Sequence, residues 1–111
     1  MEVKAITRNL RISVRKARPI ARRVQGLPLA AALNIADFSP LKAARFLAAT
    51  LRSAAANAKN NNNLDTETLI VKKAVFDEGT RMKRYWCGAR GSAKPIQKKF
   101  SHLTVVLTND K

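Results

Sequence analysis

"LIVKKAVFDEGTRMKRYWCGARGSAKPIQKKFSHLTVVLT", Leu69 to Thr108, decides how this chain folds. Its ends, "LIVKKAVF" and "HLTVVLT", are dense in β-branched and aromatic residues, which suit a pleated, half-buried surface. Its middle holds Gly and Pro, the punctuation of turns. Two strands around one turn region read as an antiparallel pair whose far end is a long hairpin. From Gly79 to Ser101 each strand runs for about ten residues, and at about 3.3 Å per residue that arm projects roughly 30 Å. A two-stranded ribbon of this kind is marginal alone in water.

Upstream, four more pieces supply a body for the arm. Val3 to Ile12 is an imperfectly alternating strand. In Ser13 to Gln25, Val14, Ala17, Ile20, Ala21 and Val24 fall within an arc of about 120° at helical spacing. Ser13 reads as the N-cap and Gly26 as the stop. Pro19 interrupts that helix and is expected to kink it or remove a turn, since it lacks an N–H and crowds the preceding turn. Pro28 to Phe38 is a second helix, with Pro28 at its first position and Leu29, Ala32, Leu33 and Ala36 on its apolar face. A third begins with Ser39 as cap and Pro40 as opener. Its apolar side is Ala44, Leu47, Ala48, Leu51, Ala55 and Ala58, and its alanines favour helix and close packing. The Asn run from Asn60 to Asn63 ends it, because Asn tolerates the left-handed backbone of helix termini. The whole reads as α+β: about three helices packed on a small antiparallel sheet with a protruding β-hairpin. It is expected to be one domain, residues 1–111, with a globular body at 1–78 and 101–111 and the hairpin at 79–100.

Charge narrows the function. The 111 residues carry a net charge of +15, yet 46% of them are hydrophobic. That is too apolar for a disordered basic tail, and its self-repulsion calls for a polyanionic partner. The acids are unevenly placed. Eight basic residues and no acid lie between Glu2 and Asp37, and seven with no acid lie between Glu78 and Asp110. Ordinary solvated faces mix signs, so two acid-free tracts, one helical and one on the hairpin, suggest two contact surfaces. The candidate contacts in the body are Arg8, Arg11, Arg15, Lys16, Arg18, Arg22, Arg23, Lys42 and Arg45. On the arm they are Arg81, Lys83, Arg84, Arg90, Lys94, Lys98 and Lys99, with His102 at the strand start as a structural or RNA-contacting residue.

Other classes fit less well. The only Cys is Cys87 and the only His is His102, which leaves no disulfide framework, no cysteine zinc site and no nucleophile motif. No enzyme, cofactor, metal or small-molecule substrate is expected. The start "MEVKAITRN" does not read as a signal peptide, and no apolar run approaches a membrane span. The Ser13–Gln25 helix lacks the bulky apolar face of a membrane-surface helix. "RKARPIARRVQGLPLAAALNIADFS" has the outline of a helix-turn-helix, but Gln25 and Asn34 do not make a base-reading set for DNA. RNA fits best, because folded RNA is held by Arg and Lys against phosphates and shape, with occasional stacking rings. Tyr85 and Trp86 have two readings: cross-strand packing that stiffens the ribbon, or stacking and cavity lining. Cys87 reads as a small neutral spacer.

Taken together, these segments resemble the large-subunit ribosomal protein family numbered twenty-two, of bacterial type. The matching pieces are "RISVRKAR" and "RRVQG" (Arg11 to Gly26), "AALNI" (Ala31 to Ile35), "KAA" (Lys42 to Ala44) and "SAAANAKNN" (Ser53 to Asn61). Further on come "FDEG" (Phe76 to Gly79), "MKR" (Met82 to Arg84), "ARGSA" (Ala89 to Ala93) and "SHLTVVLT" (Ser101 to Thr108). The resemblance implies a non-catalytic constituent of the large subunit that binds and organises its rRNA during assembly. It implies neighbouring ribosomal proteins and the nascent polypeptide as further partners. The implied place is a cytoplasmic ribosome, and an organellar one fits the residues equally. Family hairpins run inward through RNA to the wall of the peptide exit tunnel, which makes Trp86, Cys87, Gly88, Ala89, Arg90, Gly91 and Ser92 the tunnel-lining tip. This chain departs from the family there. Cys87 and Gly88 stand where Pro and Arg are usual, Ser92 where a further basic residue is usual, and Trp86 and Tyr85 are bulkier than common.

Overall fold

The computed structural model describes residues 2–61 and 63–109. Glu2–Leu10 forms the first strand, β1, with Val3 and Ala5 buried and Glu2, Lys4 and Ile6 exposed. The imperfect alternation has a physical cause. Thr7 pairs with Leu103 and Leu10 with Ser101, so Arg8 and Asn9 together face one residue, His102. Asn9 takes a φ of 60°, a left-handed conformation that Asn tolerates better than most residues. Leu10 then turns back into the core.

The first helix, α1 (Val14–Val24), buries the expected stripe of Val14, Ala17, Ile20, Ala21 and Val24, and the Ser13 side chain accepts from the Lys16 N–H. The helix is continuous through Pro19, so the expected loss of a turn does not occur. Arg15 and Pro19 are both exposed, which puts the carbonyl that Pro19 leaves unpaired on the water side. Gly26, at φ 82°, ends the run, and its N–H donates to the Val71 carbonyl at 2.7 Å. Val71 in turn donates to Leu27, and Leu29 to Leu69. The 26–29 segment thus covers part of an otherwise open sheet edge.

The second helix, α2 (Leu29–Phe38), buries Leu29, Ala32 and Ala36, with Leu33 partly covered. Pro28 precedes it as the cap residue instead of occupying its first position. The third, α3 (Lys42–Asn61), starts after Pro40 and Leu41, where the Ser39 hydroxyl accepts from the Leu41 N–H. Of the expected set Ala55 is only partly covered, and the buried arc widens on the other side to Ala43, Thr50 and Ala54, because the helix packs against β1, the central strand and both other helices. Thr50 is satisfied by the Phe46 carbonyl and by Thr7 Oγ1, each at 2.8 Å. Asn63, at φ 53°, follows the helix, and Leu64 N–H closes back on the Ala58 carbonyl. Asn62, part of the expected Asn stop, lies outside the described residues.

Ile70–Cys87 (β2) and Ala93–Thr108 (β3) pair antiparallel from Ile70 opposite Thr108 to Cys87 opposite Ala93. β1 pairs with the other edge of β3, so the sheet order is β1-β3-β2. The core side of the sheet is Val71, Ala74, Phe76, Leu103, Val105 and Leu107. Lys72 is an extra residue in β2, and a second bulge sets Gly79 and Thr80 together against Phe100. Beyond that second bulge no residue of either strand is buried. The long ribbon expected from the sequence is present, and it draws the molecule out to 61 × 24 × 18 Å. A short turn, Ala89–Gly91, closes its end.

Candidate nucleic-acid interface

Three elements set the cationic surface. Along α1, Arg15, Lys16, Arg18, Arg22 and Arg23 are all exposed, because the apolar stripe claims the opposite side. Arg18 and Arg22 lean over β2, lining a small hollow with Gln25, Ala74 and Val75. The Gln25 amide donates to the Ala74 carbonyl at 2.7 Å, tying the end of α1 to the sheet. Arg23 faces the other way, toward α2.

The two basic tracts converge. Arg11 and Lys16 from the first, Lys98 and Lys99 from the second, and Lys42 from α3 line one cleft of about 810 Å³ with Ile12, Ser13 and Gln97. It lies where the start of α1 meets the base of the arm. Arg11 is held in two ways: its guanidinium sits over the Phe100 ring, 5.7 Å from the centroid, and its carbonyl accepts from Lys42 Nζ at 2.8 Å. Such a ring contact steers the cation while leaving its other side open. Among the described residues the only candidate contact ion-paired to a carboxylate is Arg81, with Glu78 at 3.1 Å. Asp37 is held by Arg52 and Glu2 by Lys72, both outside the cleft. An acid-free cleft with five cations favours an anion and resists a carboxylate-rich surface.

The arm carries charge on both faces. Arg81 and Lys83 project with Lys99 on one side, while Arg84 projects with Lys98 and Lys94 on the other. Arg81 lies directly across from Lys99, a like-charge pair that destabilises a free ribbon. Arg81 is eased by Glu78 and by Gln97 Oε1 at 3.4 Å, and Arg84 donates to the Lys83 carbonyl. Tyr85 faces Pro95 and Trp86 faces Lys94, so the two rings stand on opposite faces and do not pack on each other. They remain 76% and 66% exposed, so cross-strand packing buries little of either ring.

At the tip, the Gly88 N–H donates to the Ser92 carbonyl at 2.6 Å, and Ser92 donates back to Ala89. A Cβ at Gly88 would stand 2.7 Å from the Ser92 carbonyl oxygen, so the backbone approach there requires glycine. Arg90, at φ 58°, and Gly91, at φ 74°, complete the reversal. Cys87 is exposed. The glycine at this unusual position thus has a local structural reason.

His102 has a use inside the protein. Its Nδ1 accepts the Asn9 N–H at 3.1 Å, closing the β1 bulge. Its Nε2 edge faces Gly79, where a Cβ would lie 3.0 Å away. The ring therefore bridges the β1 bulge and the second β2 bulge at the level where body becomes arm. Only the long-range register reveals this. The sequence signal was the broken alternation at Arg8–Asn9. His102 was among the expected site residues; Phe100, the ring beneath Arg11, was not.

Among the described residues no three metal-binding side chains cluster, and no helix is long and apolar enough to cross a membrane. A family profile described as "Ribosomal protein L22p/L17e" matches residues 5–108, which takes in body and arm alike. The chain is 50% identical over 109 residues to the large ribosomal subunit protein uL22 of Opitutus terrae, covering 98% of this chain and 96% of that one. It is 47% identical over 109 residues to the uL22 protein of Akkermansia muciniphila, at 98% and 97% coverage. Against the uL22 protein of a Thermotoga species it is 49% identical over 107 residues, 96% of this chain and 67% of that longer one. With a match that spans the helical body, the bulged junction and the charged ribbon, the chain belongs to the ribosomal protein L22p/L17e family.

Proposed function

We propose that this chain is a structural, non-catalytic constituent of the large ribosomal subunit that binds and organises the subunit's rRNA. One observation carries the reading beyond family membership: a ribbon with cations on both faces and no side chain of its own buried. Such a ribbon lacks a protein interior and is stabilised by phosphates on each side. Arg81, Lys83 and Lys99 neutralise one RNA segment, and Arg84, Lys94 and Lys98 another. The body adds the cleft of Arg11, Lys16, Lys42, Lys98 and Lys99, and the α1 row of Arg15, Arg18 and Arg22. Arg8, Arg23, Arg45 and Arg90 extend the contact. His102, whose ring spans Asn9 and Gly79, is proposed to contact RNA at the base of the arm. Bridging segments that are distant in the RNA chain is how a small protein organises a large fold.

The tip, Trp86 to Ser92, is proposed to line the peptide exit tunnel and touch the nascent chain. Neighbouring ribosomal proteins are proposed to meet the body. Trp86, 66% exposed, reports on the arm. Its emission is expected to be solvent-like in the free protein and to shift or be quenched when large-subunit RNA is added. A blue-shifted emission in the free protein would mean that the ring packs on the body and the arm is not the free ribbon described.

A further inference from the structure

Phe38, the last residue of α2, is 85% exposed, more than any other large apolar side chain among the described residues. A lone exposed ring needs no explanation by itself. The surroundings of this one are unusual. Phe38 lines a cavity of about 450 Å³ with Arg23, Asn34, Ile35, Ser39 and Pro40. Asn34 lies one turn before Phe38 and so shares its side of α2. Arg23, from the last turn of α1, is exposed and has no acid partner among the described residues. The adjacent acid, Asp37, lines a separate hollow with Arg45 and Arg52, and Arg52 holds it at 2.5 Å. Around the ring there is thus a flat apolar face, an amide and an unpaired guanidinium, with no carboxylate.

Those three groups match the three parts of a nucleotide. A ring stacks on a base, an amide pairs with a base edge, and a guanidinium takes a phosphate. A stable protein partner, by contrast, needs about 800 Å² on each side, far more than Phe38, Ile35, Pro40 and the half-exposed Leu41 present. We propose that Phe38 is a stacking platform for an unpaired base of large-subunit RNA, with Arg23 on that nucleotide's phosphate and Asn34 on its edge. This rests on the reading that the chain binds that RNA.

The test is equilibrium binding of the intact chain and its variants to deproteinised large-subunit RNA, with melting curves as the folding control. Phe38→Ala and Phe38→Leu are each expected to weaken binding by about tenfold or more, with an unchanged salt slope, because stacking and not charge is lost. Phe38→Tyr keeps the ring and is expected to bind like the parent. Arg23→Ala should flatten the salt slope by about one. Parent-like affinity for Phe38→Ala, in a parent that binds with a steep salt slope, overturns the proposal while leaving the RNA reading intact. Parent-like affinity for Phe38→Leu overturns it too, since any apolar side chain would then serve and a protein contact becomes the better account. A parent chain with no salt-dependent RNA binding sinks both readings.

Discussion

Raising salt from about 50 to about 200 mM is expected to weaken binding of the intact chain to deproteinised large-subunit RNA by roughly 10⁴-fold. The magnitude follows from the cations. The two acid-free tracts hold eight and seven basic residues. With about eight phosphates neutralised, log affinity falls against log salt with a slope near −6 to −7, because each contact releases condensed counterions. The expectation of many simultaneous contacts rests on where the cations lie: the tracts meet in one cleft, and the arm presents charge on both faces. Titrations at several salt concentrations measure the slope directly. A flat response would remove electrostatics as the basis of binding.

Excising Arg81 to Lys99 and joining Thr80 to Phe100 through a short turn is expected to separate binding from folding. All seven cations of the second tract go, so the salt slope should flatten by about half, with a loss of several orders of magnitude in affinity at low salt. The body should keep its cooperative melting transition. Every fully buried large side chain, from Ile20 and Leu47 to Phe76 and Leu107, lies outside the excised segment. Removing Arg81 and Lys99 also removes a like-charge cross-strand pair. Circular dichroism melts of the two chains make the comparison. A lost or broadened transition would show that the arm helps hold the core.

Local pattern made much of this legible in the sequence. The five apolar positions of α1 recur at helical spacing, and all five are buried. In β2 no residue after Phe76 is buried, and in β3 none before Ser101. What escaped was long-range. Nothing near Val3 says that β1 pairs with β3 and not with β2. Ala43, Thr50 and Ala54 fall outside a single-stripe reading of α3 because that helix is enclosed on several sides, a property of its neighbours and not of its spacing. Nothing near Pro19 in the sequence says that its side of the helix faces water, which is what makes the proline tolerable there.

The candidate site divides in the same way. Acid-free runs pointed to all the candidate cations but Lys42 and Arg45, since sign asymmetry is visible residue by residue. Their convergence was not visible, because Lys16, Lys42 and Lys98 meet only through the packing of α1, α3 and the sheet. His102 shows the limit most clearly. A lone His at a strand start carries no hint of Asn9, ninety-three positions earlier, whose N–H it accepts.

The central claim is that the arm is held inside ribosomal RNA, and sedimentation tests it most directly. A chain threaded through folded RNA cannot leave without rearranging that RNA, whereas a surface-bound basic protein is stripped by salt. Cell extracts should be washed at high salt and spun through a gradient, with the chain followed by antibody. The account predicts that it stays with large subunits through the wash. Finding it wholly in the free pool would contradict the account and favour a nucleic-acid-binding module that works outside the ribosome.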